Sequence, residues 1–311
     1  MRTSLVVALL AVFVALALSP FALAAEPGAV HPIERFTPAE LEGWAAKFDT
    51  PLYLYDGDRI VANYRRIDAA FRAVYPKTRI HYALKANSNP AVIALLRAAG
   101  AGAEIVSEGE LELALALGFR GAEILFTSNS KRPSEIDRAL DAGAILNVDS
   151  EDELEQVAAR SKAKATTARI SFRLNPAVDP HTHAKIATGV VDSKFGLHFA
   201  DGTALRAVTR ALALAPAVRL VGLHSHIGSQ ITEPAPFRLA AEEMVEFVVR
   251  LYRDLGVRLE FVDLGGGLGI PYRDGQEVMS AVDWAQAQAE PLRAAQEALG
   301  GELPELWIEP G

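Results

Sequence analysis

The sequence predicts an α/β fold, a (β/α)8 TIM barrel, and three observations predict it. Short β-branched or apolar runs alternate with longer helical patterns from about residue 79 onward. Eight such runs occur, and strands that alternate with helices pair in parallel through βαβ units. Lys85, Asp149, Arg173, His226, Asp263 and Glu309 fall at or near the C-terminal ends of their runs, where a barrel carries its chemistry. A doubly wound sheet fits the local pattern as well but does not account for that clustering. Glu104 is an exception, placed near the start of its run.

In order, the predicted strands are Arg79–Ala86, Ala103–Ser107, Ile124–Ser128, Ile145–Asp149, Arg169–Asn175, Arg219–Ile227, Leu259–Leu264 and Leu306–Glu309. The predicted helices are Pro90–Ala99, Glu110–Leu117, Ser134–Ala142, Glu151–Lys162, Ala204–Leu214, Pro236–Leu255 and Val282–Leu299. Gly100, Gly118 and Gly143 close the first three, since glycine ends a helix in the left-handed conformation at little cost. No helix follows the eighth strand. The expectation is a barrel short of its last helix, with part of its sheet uncovered.

The N-terminus reads differently. Arg2, an apolar run from Leu5 to Leu18, Pro20 and then Ala22-Leu23-Ala24-Ala25 match a secretory signal peptide over residues 1–25. An uncleaved anchor and a start codon assigned too far upstream are the rival readings. Export to the periplasm follows if the signal operates, with no membrane partner after cleavage. At 311 residues the chain can bury one large core, or two modest ones. A net charge of -8 argues against a nucleic-acid partner. With no cysteines, disulfides, thiolate metal sites and a cysteine nucleophile are excluded within these residues.

Four features could carry chemistry. Lys85, in a strand facing a barrel interior, must find a partner or give up its charge, and a neutral amine there could form a Schiff base; the plainer reading is an ammonium in solvent. Gly265-Gly266-Gly267 follows the seventh strand, where barrels bind phosphate on bare backbone N–H groups; the plainer reading is a flexible turn. His224 and His226 share a strand face, as a metal pair, as a platform for a planar cofactor with Ser229 on its phosphate, or as packed histidines. Glu309 would need a cationic or protonated partner in a barrel mouth, such as a pyridinium nitrogen, unless it faces solvent. The polar segment from His181 to Gly196 is long for a βα connection, as binding loops often are.

These motifs coincide with one family. Thr50 to Asp56, Tyr82-Ala83-Leu84-Lys85-Ala86-Asn87, Ser107-Glu108-Gly109-Glu110-Leu111, Asn147-Val148-Asp149-Ser150, His181 to Leu197, Gly222 to Gln230, Gly265-Gly266-Gly267 and Glu309-Pro310-Gly311 together resemble the fold-type III pyridoxal-phosphate decarboxylases. The segment from His181 looks like the diaminopimelate branch rather than the ornithine or arginine branches.

The resemblance implies an alanine-racemase-type barrel over residues 56–311 and a β-rich second domain, to which residues 26–55 contribute and most of which lies outside this chain. It implies pyridoxal 5'-phosphate as cofactor, with Lys85 as its covalent anchor and His226 stacked on its ring. Ser229, Gly265, Gly266 and Gly267 would hold the phosphate, and Glu309 the ring nitrogen. Glu104 stands where many relatives carry Asp, beside Lys85; Glu110 and Arg173 match positions that organise the pocket. A small amino-acid substrate and a homodimer with shared active sites complete the picture, in the cytoplasm where the family works if the signal is not real. Residues that close the site in the family lie beyond Gly311, so this stretch alone is expected to be inactive. The implied reaction is conversion of meso-2,6-diaminopimelate to L-lysine and CO2. Decarboxylation of another basic amino acid, a barrel metallohydrolase and a non-catalytic homologue are the alternatives.

Overall fold

The computed structural model describes residues 35–178, 195–199, 201–273 and 275–311. The chain divides into two compact units, Met1–Leu54 and Tyr55–Gly311. In the first, helix α1 (Pro38–Phe48) opens with a capping box: the Thr37 hydroxyl accepts from the Glu40 N–H, and the Glu40 carboxylate accepts from the Thr37 N–H at 2.8 Å. Residues 1–25, read as a signal, lie outside the described residues, as does the segment from 179 to 194. Among the described residues no helix is long and apolar enough to cross a membrane.

In the second unit a closed ring of parallel strands forms, as expected. Strands β1 (Thr78–Ala83), β2 (Gly102–Ile105), β3 (Ile124–Phe126), β4 (Ile145–Val148) and β5 (Ala168–Asn175) pair in sequence. A two-residue strand, β6 (Leu197–His198), lies against the end of β5. Strands β7 (Val218–His224), β8 (Phe261–Asp263) and β9 (Glu305–Ile308) continue the ring, and β9 pairs with β1 to close it. Side chains alternate across the sheet. Ile80, Ile105, Phe126, Val148, Phe172, Leu223, Val262 and Ile308 join the core under the helices, while Leu125, Ile145, Val221, Phe261 and Trp307 form a separate cluster. A sheet covered on both faces is why the strands read as nearly continuous apolar runs.

The outer helices are α3 (Pro90–Ala99), α4 (Glu108–Ala116), α5 (Pro133–Ala142), α6 (Glu151–Ala163), α7 (Thr203–Ala213), α8 (Pro234–Leu255) and α9 (Ala281–Ala294), each between successive barrel strands. The sector expected to lie bare is not bare. Helix α2 (Gly57–Val74), which precedes β1, packs against α3, α9 and β1. Its Phe71 is fully buried, edge-on to Trp284 of α9 at 4.9 Å. Asp56 caps α2 by accepting from the Arg59 N–H at 3.0 Å.

Candidate active site at the C-terminal mouth of the barrel

Three tiers of inward-facing residues fill the barrel. At the N-terminal end, Arg169 and Arg219 both bind the Glu260 carboxylate, and Arg79 lies 3.5 Å from Glu305. The middle tier is an aromatic plug. Phe261 and Trp307 stack at 3.6 Å, and the buried His81 ring lies 4.1 Å from Trp307. Gly102 opposite has no room for a side chain, because a Cβ there would come within 2.4 Å of His81. Neither nitrogen of His81 has a partner among the described residues, and burial pushes its pKa down to about 3, so the ring is neutral.

The mouth tier is polar and buried: Glu104, Asn147, Arg173, His224, Asp263 and Glu309. Arg173, Asp263 and Glu309 lie near or just past the ends of β5, β8 and β9, as the sequence predicts. Lys85 needs a correction. Strand β1 stops at Ala83, and Lys85 sits on the following turn of 3-10 helix, Leu84–Ala86, with its side chain 47% exposed. It rests beside the interior rather than inside it, and its partner is the Glu104 carboxylate.

Glu104 also sits differently from the expectation. With β2 only four residues long, its third residue aligns with Ala83 at the end of β1, and its side chain enters the mouth. It accepts hydrogen bonds from Lys85 Nζ and Thr127 Oγ1. Burial, reinforced by the charge of Glu309, raises its pKa to about 7 against the pull of Lys85 and Thr127.

Across the mouth, His224 Nε2 lies 3.2 Å from Glu309 Oε2. Asp263 Oδ1 accepts from the Gly265 N–H at 2.8 Å. His224, Asp263 and Glu309 present ligand atoms within 4.8 Å of one another. Burial and the charge of Glu309 push the Asp263 carboxyl well above its ordinary value. Burial would also raise Glu309, but His224 and Lys85 outweigh it and hold Glu309 well below the usual carboxylate range. Of the two buried carboxyls, Asp263 is pushed toward the protonated form and Glu309 is held toward the ionised form. Glu309 Oε1, Asp263 Oδ2 and His224 Nδ1 are buried without hydrogen-bond partners among the described residues.

His226 follows β7 rather than ending it. Its Nδ1 accepts from the Gly266 N–H at 3.3 Å, which leaves the ring proton on Nε2, and burial lowers its pKa to about 3. Gly265 and Gly266 are buried, and Ser229 is exposed on the facing loop. A Cβ on Gly266 would meet the Glu309 carbonyl oxygen at 2.1 Å, so only glycine lets this loop cross the end of β9. Arg173 is buried, with Phe195 stacked 4.3 Å from its guanidinium and Asp149 at 3.9 Å. Glu110 is engaged at the head of its own helix. It accepts from the Val106 N–H at 2.7 Å, while the Ser107 hydroxyl accepts from the Glu110 N–H, and so it secures the start of α4. Of the long polar segment, only Phe195 and Gly196 fall among the described residues; the Gly196 N–H donates to Asp149 Oδ2 at 3.1 Å.

One buried group had no sequence signal. Lys131, after β3, is enclosed and donates to the Asn147 carbonyl at 2.6 Å and to Glu153 at 2.8 Å. Glu153 in turn accepts from the Asp149 N–H at 2.9 Å, which supports the tip of β4 beside Arg173.

The family model described as "Pyridoxal-dependent decarboxylase, pyridoxal binding domain" matches residues 58–311. The chain belongs to this family. Members at comparable similarity include diaminopimelate decarboxylase of Methanocaldococcus jannaschii, 39% identical over 272 residues that cover 86% of this chain and 61% of that one. The solved structure of the M. jannaschii enzyme in co-complex with L-lysine aligns with a TM-score of 0.80 at 39% identity, covering 86% of this chain and 62% of its own. Diaminopimelate decarboxylase from Helicobacter pylori complexed with L-lysine gives 0.79 at 35% identity, over 87% and 66%. The chain thus spans about 61% of the length of the first curated relatives it matches.

The mouth fits the cofactor this decarboxylase family is named for. A primary amine at the rim faces a tier that contains a buried, ionised carboxylate with one oxygen left unpaired among the described residues. An aldehyde requires the first, and a protonated ring nitrogen the second.

Proposed function

We propose that the protein of which this chain forms the barrel decarboxylates meso-2,6-diaminopimelate to L-lysine and CO2 with pyridoxal 5'-phosphate. The observation that carries the proposal is the placement of Lys85 and Glu309 at one barrel mouth, with Glu309 held ionised. The diaminopimelate decarboxylases among the relatives, two of them solved with L-lysine, support the choice of substrate.

When bound, the cofactor supplies an electron sink for the pair left at Cα as CO2 departs. Lys85 would hold it covalently through its amine. Glu104 accepts a hydrogen bond from Lys85 Nζ and, with its pKa raised to about 7 by burial, can hold or release a proton at the mouth near neutral pH. Glu309 would keep the ring nitrogen protonated, with His224 donating to the Glu309 carboxylate and Asp263, pushed toward its protonated form, beside it. The neutral His226 offers its ring face and adds no positive charge that would oppose a protonated ring. Ser229 and Gly265 to Gly267 would hold the phosphate, and the buried Arg173 would help organise the same mouth.

A homodimer with shared sites and export directed by residues 1–25 belong to the same proposal, supported by the family resemblance and by the signal-like N-terminus. Light scattering and cell fractionation check them. The direct test is CO2 release from isotopically labelled meso-diaminopimelate with cofactor present. Release with stoichiometric lysine supports the proposal. Preference for ornithine, lysine or arginine replaces the substrate, and no release from any of them removes the activity.

A further inference from the structure

We propose that Gln230 is a positioning residue that locks together the two loops expected to hold the cofactor phosphate. The inference rests on reading Ser229 and Gly265 to Gly267 as the phosphate site.

Gln230 directly follows Ser229 and has a backbone φ of 60°, in the left-handed region that a residue with a side chain rarely adopts. Its side chain spans to the other loop and meets both backbone groups of one residue. Nε2 donates to the Ile270 carbonyl at 2.7 Å, and Oε1 accepts from the Ile270 N–H at 2.9 Å. The amide thereby acts as a neighbouring strand would.

Inward from that contact the loops zip backbone to backbone. The Ile231 N–H donates to the Gly267 carbonyl at 2.9 Å, and the Gly269 N–H donates to the Ile231 carbonyl at 2.9 Å. Ile231 and Leu268 form an isolated parallel bridge. The approach is too close for side chains: a Cβ on Gly267 would lie 2.2 Å from the Gly228 oxygen, and one on Gly265 would lie 2.6 Å from the Ser225 oxygen.

Gln230 closes the outer end of this zipper, where Ile270 is 58% exposed and water competes for every backbone group. A strained backbone persists only where the surroundings over-determine it. Here the two-point contact does so, and it fixes the direction in which Ser229 leaves the strand end. A phosphate bridging the loops would feel their spacing. The pyridine ring and its aldehyde would not, because they meet Lys85, His226 and Glu309.

The test compares pyridoxal phosphate with pyridoxal, which lacks the phosphate. Affinities for each are measured by absorbance titration on the wild-type protein and on Gln230→Asn and Gln230→Gly. Both substitutions suit a left-handed backbone, but asparagine is one methylene shorter and glycine has no amide. Relief of the backbone strain and loss of the two-point contact oppose each other, so the melting temperatures of both variants should stay close to that of the wild type. The expected result is about a tenfold or greater rise in the dissociation constant for pyridoxal phosphate. For pyridoxal the change should stay within about twofold. Unchanged affinity for pyridoxal phosphate overturns the inference and leaves the proposed function standing. Equal weakening of both ligands with a lowered melting temperature makes Gln230 merely structural and overturns it as well. A wild-type protein that binds neither ligand overturns both the inference and the phosphate reading beneath it.

Discussion

The two ends of the barrel treat charge in opposite ways. At the N-terminal end, Arg79, Arg169 and Arg219 are met by Glu260 and Glu305, at the surface, where water screens whatever pairing leaves over. At the C-terminal mouth, Glu104, Arg173, His224, Asp263 and Glu309 are buried, and three of them keep polar atoms without partners among the described residues. Burying charge without full pairing costs several kcal/mol per group. A fold tolerates that where a ligand completes the pairing. The aromatic plug of Phe261, Trp307 and His81 separates the two regimes and keeps water from running between them.

Substitutions at each tier would break or sharpen this comparison. The largest effect is expected at the mouth. Glu309→Gln keeps the shape but removes the negative charge, and in the proposed decarboxylase CO2 release should fall by about a hundredfold or more. Attachment of the cofactor at Lys85 should persist in this variant. An unchanged rate would show that the buried carboxylate is not used.

In the middle tier the effect is on stability and depends on pH. The neutral His81 has a folded pKa of about 3 against an ordinary 6.5, so the unfolded chain binds more protons between those values. Its contribution is fully present above pH 6.5 and is lost as pH falls toward 3. His81→Phe should flatten that acid limb, recovering stability near pH 4 relative to neutral pH. Denaturant titrations at several pH values check this, and an acid limb of unchanged slope would contradict it. Glu104 works in the opposite sense. Its raised pKa favours the fold below pH 4.5, and that contribution is lost as pH rises through about 7.

The smallest effect belongs to the N-terminal end. Arg219→Gln removes one of two partners of an exposed Glu260, so stability should change by less than about 1 kcal/mol, with activity unaltered. A loss comparable to that of Glu309→Gln would erase the distinction between the ends.

Much of this arrangement was legible in the sequence. Strand positions followed from apolar runs between glycine-terminated helices, and Arg173, Asp263 and Glu309 at the strand ends marked the mouth. Sequence and structure part where tertiary pairing overrides local pattern. The run from Arg79 to Ala86 looks like one strand, but β1 turns at Leu84 to bring Lys85 over Glu104. Glu104 looked remote from the mouth because strand length, not strand position, decides which tier a residue joins. Helix α2 lies outside the predicted helices, yet Ile60, Tyr64, Ile67 and Phe71 recur at helical spacing after the Asp56 cap. The Lys131–Glu153 pair and the Gln230–Ile270 clamp join residues 22 and 40 positions apart, and no local pattern encodes either.

The central claim is that Lys85 and the polar tier form a pyridoxal phosphate site. Incubation with the cofactor, borohydride reduction and peptide mass spectrometry test it most directly. The account predicts one cofactor adduct per chain, on the peptide containing Lys85, and none in Lys85→Ala. An adduct spread over surface lysines, or one that persists in Lys85→Ala, would contradict it.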